Sequence, residues 1–279
     1  MIGEPDAEEV ASAKVQFAGR TAGRAGPPLL FAGGVIVAWY LVAEILPESK
    51  RVLLPKPHEL WTEALARQEI RDELWKGLIN TTKVSLMALV IAIGLGVLIA
   101  TVMSQRHFVE RALFPWAVVL QTIPTLALVP LIGVWFGFGF FSRVLVAVLI
   151  ALFPIITNTL FGLHSADPAQ HDLFRLHKAS SITRLFRLQF PAALPAILTG
   201  FRISAGLSVI GAIVGEFFFG RGAKGLGNLI DKYRGILDVG SLYTTIIISS
   251  VLGVTIFSVF TWLMKAAVGS WHESLAENS

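Results

Sequence analysis

Long runs of residues without a single charge dominate this chain, and they restrict its folding more than any other feature. Residues 84–103 are 20 positions free of Asp, Glu, Lys, Arg and His, residues 242–264 are 23, and residues 112–141 are 30. About 20 apolar residues coiled as an α-helix match the hydrocarbon core of a bilayer. In lipid every backbone N–H and C=O must be satisfied within the segment, which leaves helices and closed barrels. Barrel strands alternate apolar and polar side chains, whereas these runs are continuous, so they read as helices. Residues 29–46, 144–163 and 191–219 complete a set of six, with Glu44 in the first and Arg202 and Glu216 in the last. The expected class is an all-α membrane protein with spans at 29–46, 78–103, 112–136, 140–163, 191–219 and 241–264. Between 112 and 141, Pro115, Pro124 and Pro130 with three glycines argue for a helix followed by a turn or re-entry rather than a straight rod.

Composition enters here. Charged residues make up 15% of the chain, against about 25% in an ordinary soluble domain. The absence of cysteine excludes disulfides, thiolate metal sites and a cysteine nucleophile. The net charge of +4 fits basic loops against headgroups better than nucleic acid. Residues 1–28 read as a flexible tail with no cleavable signal peptide, because no apolar core precedes Leu29; residues 269–279 form a second tail. With six spans, ten Lys and Arg fall in loops on the side of the termini and eleven on the other. The positive-inside rule therefore does not orient the chain.

Two connectors are neither apolar enough to span nor plain loops. Residues 47–77 carry apolar side chains at three- and four-residue steps with Trp61 and Trp75, which reads as an amphipathic helix at the interface or as a solvent-exposed connector. Residues 164–190 place Leu173, Leu176, Ile182, Leu185, Phe186 and Phe190 at helical spacing among Arg175, Lys178, Arg184 and Arg187. A connector of this size either packs under the bundle or docks a partner. His171 and His177, six apart, lie on different helix faces and are assigned no ligand role.

Charge at membrane depth costs at least ~2.5 kcal/mol on insertion scales, so each intramembrane charge is a functional candidate. Arg202 and Glu216 are fourteen residues apart, about 21 Å along a helix, and cannot pair within it. Arg202 is either a structural or snorkelling cation or a pathway residue, and Glu216 either a structural acid or an outer gate. Gln121 and Asn158 are polar within apolar runs; interhelical hydrogen bonds explain them, and a translocation path is the alternative. Gly94, Gly96, Gly206, Gly211 and Gly215 suggest close helix packing. No phosphate-binding Gly-x-x-x-x-Gly-Lys-Ser/Thr loop occurs, and no catalytic constellation.

Phe190-Pro-Ala-Ala-Leu-Pro-Ala-Ile-Leu-Thr-Gly-Phe-Arg202 resembles the start of the fifth helix in the permease subunits of ABC importers, most closely the nitrate, sulfonate and taurine group. Residues 53–60, residues 121–137, Gly215-Glu216 and Gly225-Leu-Gly also match, so the resemblance covers about residues 50–265. Setting Pro191 on the family proline puts Asp172-Leu173-Phe174 on its Glu-Ala-Ala triplet and Lys178 on its glycine. The acid, the spacing and the proline are kept, while both alanines and the glycine are replaced.

The resemblance implies a six-helix, type I-like importer bundle in the cytoplasmic membrane of a prokaryote, with both termini in the cytoplasm. It implies a coupling helix at 165–190 that contacts the ATPase through Asp172, Leu173, Phe174, Arg175, Leu176, Lys178, Ala179, Ser180 and Arg184. The implied partners are two ATPase subunits that hold ATP and Mg, a second copy of the permease as a homodimer, an extracytoplasmic solute-binding protein and lipid. This chain itself would bind no cofactor or metal and hydrolyse nothing. The implied solute is small and sulfonate-, nitrate- or taurine-like, the alternatives being a thiamine-precursor pyrimidine or riboflavin. The rival classes are an ion-coupled secondary transporter, whose marks are internal repeats and broken helices, a membrane enzyme and a purely structural subunit.

Overall fold

The computed structural model describes residues 26–28 and 30–268; the tails expected at the two ends otherwise fall outside them. Every regular element among the described residues is helical. The chain divides into two units between Ala66 and Arg67.

The first unit holds α1 (Gly26–Ile45), an apolar helix of spanning length. Two short helices follow, α2 (Glu48–Arg51) and α3 (Pro57–Leu60), then one wide π-type turn at Trp61–Leu65. The Trp39 indole N–H donates to the Pro55 carbonyl at 3.0 Å. Glu44, the one charge in the first apolar run, meets the Lys56 ammonium at 2.6 Å at the end of α1. The pair is solvated and adds little to stability.

The second unit begins with α4 (Gln68–Gln105), 38 residues without a break. Here the structure departs from the expected separate interfacial helix followed by a span at 78–103. Residues 68–77 of that connector run into the span as one helix, while residues 48–65 form the short helices and turn of the first unit; in α4 the three-to-four spacing carries straight through, with Ile70 and Leu74 buried and Trp75 exposed. At 1.5 Å per residue α4 is about 57 Å long, nearly twice the ~30 Å hydrocarbon core, so part of it stands outside the lipid. Next come α5 (His107–Thr122) and α6 (Thr125–Phe136), bent by 96° at their junction. Pro124 causes the break, since a residue before proline is pushed out of the helical region and Ile123 has ψ 127°. The span expected at 112–136 is thus an angled pair. Among the described residues, five helices are long and apolar enough to cross a membrane singly, or six when this pair counts as one span. The remaining elements are α7 (Phe140–Leu163), α8 (Pro168–Leu176), α9 (Ser181–Arg184), a π-type turn at Leu185–Gln189, α10 (Phe190–Phe218), α11 (Leu226–Gly235) and α12 (Val239–Val268).

The centre of this unit is built on α7, packed against α10 and α4. Its core is mostly small side chains, including Ala88, Ala92, Ala147, Ala151 and Ala212, with Val84 and Ile155. Lipid tails are as apolar as leucine, so membrane helices gain by van der Waals fit, which small residues allow. A Cβ at Gly211 would lie 2.6 Å from the Ala147 Cα, and one at Gly96 would lie 2.6 Å from the Ile155 Cγ2. Gly94, by contrast, faces open space and Gly206 has only one neighbour, at 3.9 Å. Those two do not serve the close packing expected of them.

Candidate coupling surface

The connector between α7 and α10 is built to hold its own shape. Asp167 caps α8: its carboxylate accepts from the Ala169 N–H at 2.7 Å, and Pro168 occupies the first helical turn, where no N–H is needed. The far end of α8 closes with a paired 6→1 and 5→2 hydrogen-bond motif. The Ala179 N–H donates to the Phe174 carbonyl at 3.0 Å and the Lys178 N–H to the Arg175 carbonyl at 2.9 Å. That motif demands a left-handed residue, and Lys178 supplies it at φ 52°. The position aligned with the family glycine is therefore still a left-handed corner, now occupied by a residue with a Cβ. Ser180 caps α9, accepting from the Thr183 N–H at 3.1 Å.

A side chain in the left-handed region costs about 1 kcal/mol relative to glycine. Lys178→Gly is expected to tighten the corner, slowing hydrogen exchange at the Ala179 amide about fivefold. Unchanged or faster exchange would show that Lys178 bears no strain.

No residue of α8 or α9 is buried. Leu173, Leu176, Ile182 and Phe186 are 53%, 80%, 70% and 64% exposed, an apolar set on a segment that polar caps hold in place. The following turn faces the other way: Leu185 and Leu188 are buried, and Leu185 joins Leu163, Ala193 and Ile197 in a core. Asp172 and Arg175 approach to 3.8 Å in open solvent, which contributes little. Of the residues named for this surface, Asp172, Leu173, Arg175, Leu176, Lys178 and Ser180 are exposed, while Phe174, Ala179 and Arg184 are half-buried. Ile182 and Phe186 belong with the exposed set. Their apolar spacing is visible in the sequence, but they fall between the matched positions of the family motif, Lys178 and Pro191. A cavity of about 570 Å³ opens beside α8, lined by Asp167, Gln170, Arg187 and Pro191 among others.

The opposite end of the bundle is closed by buried polar contacts. Glu216 is fully buried. Its Oε2 accepts from the Thr81 hydroxyl at 2.7 Å and the Gly227 N–H at 3.0 Å, at the start of α11, where a negative charge is favoured. Thr81 in turn accepts from the Leu226 N–H at 2.8 Å. Arg143 is 2% exposed and donates to the Ala223 and Arg221 carbonyls at 2.5 and 2.6 Å. It is also an electrostatic neighbour of Glu216. The Asn228 amide donates to the Glu216 and Phe219 carbonyls. Arg143, expected among loop charges, is instead a core residue, because the 220–225 turn offers it two carbonyls. Nearby, the buried Tyr233 donates to Glu73 at 2.8 Å; burial and that carboxylate both raise its pKa, so it stays a donor.

The four pathway candidates do not form one cluster: among the described residues, no hydrogen bond or ion pair joins any two of them. Glu216 lies in the network just described, which favours its structural reading in this conformation. Gln121 is exposed beside the α5–α6 bend. The Asn158 amide donates back to the Pro154 carbonyl at 2.8 Å. The Arg202 guanidinium lies 5.4 Å from the centre of the Phe257 ring, at the edge of an apolar groove of about 680 Å³ between α10, α11 and α12.

Three comparisons with known proteins bear on this geometry. Residues 92–268 match the family described as "Binding-protein-dependent transport system inner membrane component". The formylaminopyrimidine transport permease protein ThiX of Halalkalibacterium halodurans is 34% identical over 231 residues, covering 83% of this chain and 90% of that protein. The riboflavin transport system permease protein RibX of Chloroflexus aurantiacus is 34% identical over 168 residues, 60% of this chain and 62% of that one. In fold, a chain of a crystallised amino acid ABC transporter superposes with a TM-score of 0.57 at 19% identity, covering 73% of this chain and 98% of that chain. Matched along 177 of its 279 residues (92 to 268 inclusive), the chain belongs to the family of inner-membrane permease subunits of binding-protein-dependent ABC importers.

Proposed function

We propose that residues 168–186 are the surface on which separate ATPase subunits grip this permease and drive alternating access. The observation that carries this reading is the exposed set Leu173, Leu176, Ile182 and Phe186 on a segment with capped ends and no buried residue in α8 or α9. An amphipathic helix that keeps its apolar face in water has the form of a ligand for a groove. ATP and magnesium stay on the ATPase. Two ATPase subunits act on a homodimer of the permease, with both termini and α8 on the cytoplasmic side. A binding protein brings a small organic solute to the other side. ATP can shift the inward–outward equilibrium only through different affinities of the ATPase pair for the two states. The ion-coupled alternative has less support, because among the described residues the bent α5–α6 pair is its one structural mark.

Leu176→Glu with Ile182→Glu is expected to leave membrane insertion intact and to abolish co-purification of the ATPase. Apolar anchors of this kind contribute about 2 kcal/mol each, roughly 30-fold in affinity. A double variant that still assembles and transports normally would overturn the reading.

A further inference from the structure

The end of the bundle opposite α8 carries an unusual tip. At the end of α11 the Asp238 N–H donates to the Tyr233 carbonyl at 3.0 Å and the Leu237 N–H to the Arg234 carbonyl at 3.4 Å. This is the same corner motif that ends α8, and it places Leu237 at φ 56°. Leucine is poorly suited to that conformation; glycine or asparagine is the usual occupant. It is also 76% exposed, and its neighbour Ile236 is 63% exposed. Neither local conformation nor burial accounts for this side chain, and strain kept at an exposed position is a mark of function.

The surroundings hold the tip rigidly. Tyr233, one turn back, is buried and bonded to Glu73. Lys232 pairs with Glu73 at 2.5 Å. Asp238 receives the Arg67 guanidinium at 3.1 Å and caps the start of α12 through Ser241. Arg234 meets Asp231 at 2.7 Å. Paired charges at 231, 232, 234 and 238 thus flank this apolar pair along the chain.

That pattern discriminates between partners. Charges of both signs flanking Ile236 and Leu237 would be costly in a hydrocarbon layer. An apolar centre inside a charged rim is the anatomy of a protein–protein contact, and a preorganised anchor loses little entropy on docking. We infer that Ile236 and Leu237 form the apolar anchor by which the extracytoplasmic binding protein docks on this permease, fitting an apolar pocket on the docking lobe of that protein. The inference rests on the importer reading and the orientation proposed above.

The absence of cysteine makes the test direct, since Leu237→Cys adds the one thiol in the chain. The probe is an environment-sensitive fluorophore on that thiol, in the permease–ATPase complex in nanodiscs, titrated with the purified cognate binding protein. The emission is expected to be water-like alone and to shift to the blue on adding the binding protein. A photo-crosslinker at the same site should yield an adduct with the binding protein, while the same reagent on Leu176→Cys yields one with the ATPase. Emission that is blue-shifted before any partner is added would place the tip in lipid and overturn the inference; an adduct with a second copy of this chain would do the same. A second variant separates anchor from scaffold: Leu237→Gly relieves the backbone, so thermal stability should hold or rise while stimulation of ATPase activity by the binding protein falls at least tenfold. Unchanged stimulation overturns the inference. If the ATPase adduct at Leu176→Cys is also missing, the importer reading fails; if only the contact at position 237 is missing, this inference fails alone.

Discussion

Arg143→Met should destabilise the permease by about 3–5 kcal/mol, the range for removing one member of a buried charge network. Arg143 is 2% exposed, so water cannot readily replace it. Its removal strips donors from the Arg221 and Ala223 carbonyls and leaves Glu216, also fully buried, without its cationic neighbour. Unfolding of the purified permease in mixed detergent would measure the loss. Glu216→Gln alone should also destabilise, because a carboxylate that accepts from Thr81 and Gly227 becomes a neutral group with two donors of its own. The double variant should lose less than the sum of the two, since interacting residues are not additive. Strict additivity, or a loss below about 1 kcal/mol for Arg143→Met, would show that the 220–225 turn is held by something else.

Gly211→Leu carries the second large effect. The ideal Cβ at position 211 already falls 2.6 Å from the Ala147 Cα and 3.2 Å from its Cβ. The obstacle is backbone on a neighbouring helix, so no rotamer change relieves it. Overpacking a well-packed core costs about 1–3 kcal/mol, and the upper end is expected where two helices must separate. Loss of purified, monodisperse protein together with a lowered unfolding midpoint would show it. Gly94→Leu, at a position with nothing within 4 Å, should be close to neutral. If both substitutions behave alike, the α7–α10 contact is looser than its geometry.

The spans were legible because a hydrocarbon solvent marks every residue of a segment: one charge in twenty positions is visible without knowing any partner. The surface at 172–186 was legible for a similar reason. Leu173, Leu176 and Ile182 keep helical spacing in a stretch too polar to span, and the resemblance to a known permease motif suggested the role proposed for it. What stayed hidden depends on partners far apart in the chain. Nothing local distinguishes Arg143 from a loop arginine; its carbonyl partners lie 78 and 80 residues later. Thr81 reads as one of several polar residues opening a span, and only folding sets it against Glu216, 135 residues on. The angle between α5 and α6 was half visible, since Pro124 marks the break while packing sets the 96°. Lys178 stood out as a departure from the family glycine, but its left-handed backbone had to be seen.

From Ser181 to Phe218 the backbone forms one helical run of 38 residues, about 57 Å end to end. Its first turn carries Ile182, an exposed apolar contact, and its last carries Glu216, bonded to the start of α11. A helix resists compression along its axis, and the irregularities here are the wide turn at Leu185–Gln189, clamped by the buried Leu185 and Leu188, and Pro195, which leaves one intrahelical hydrogen bond unmade. No loop interrupts the run between its two tips. The polar network around Glu216 and the exposed apolar contact at Ile182 are thus opposite ends of the same rod.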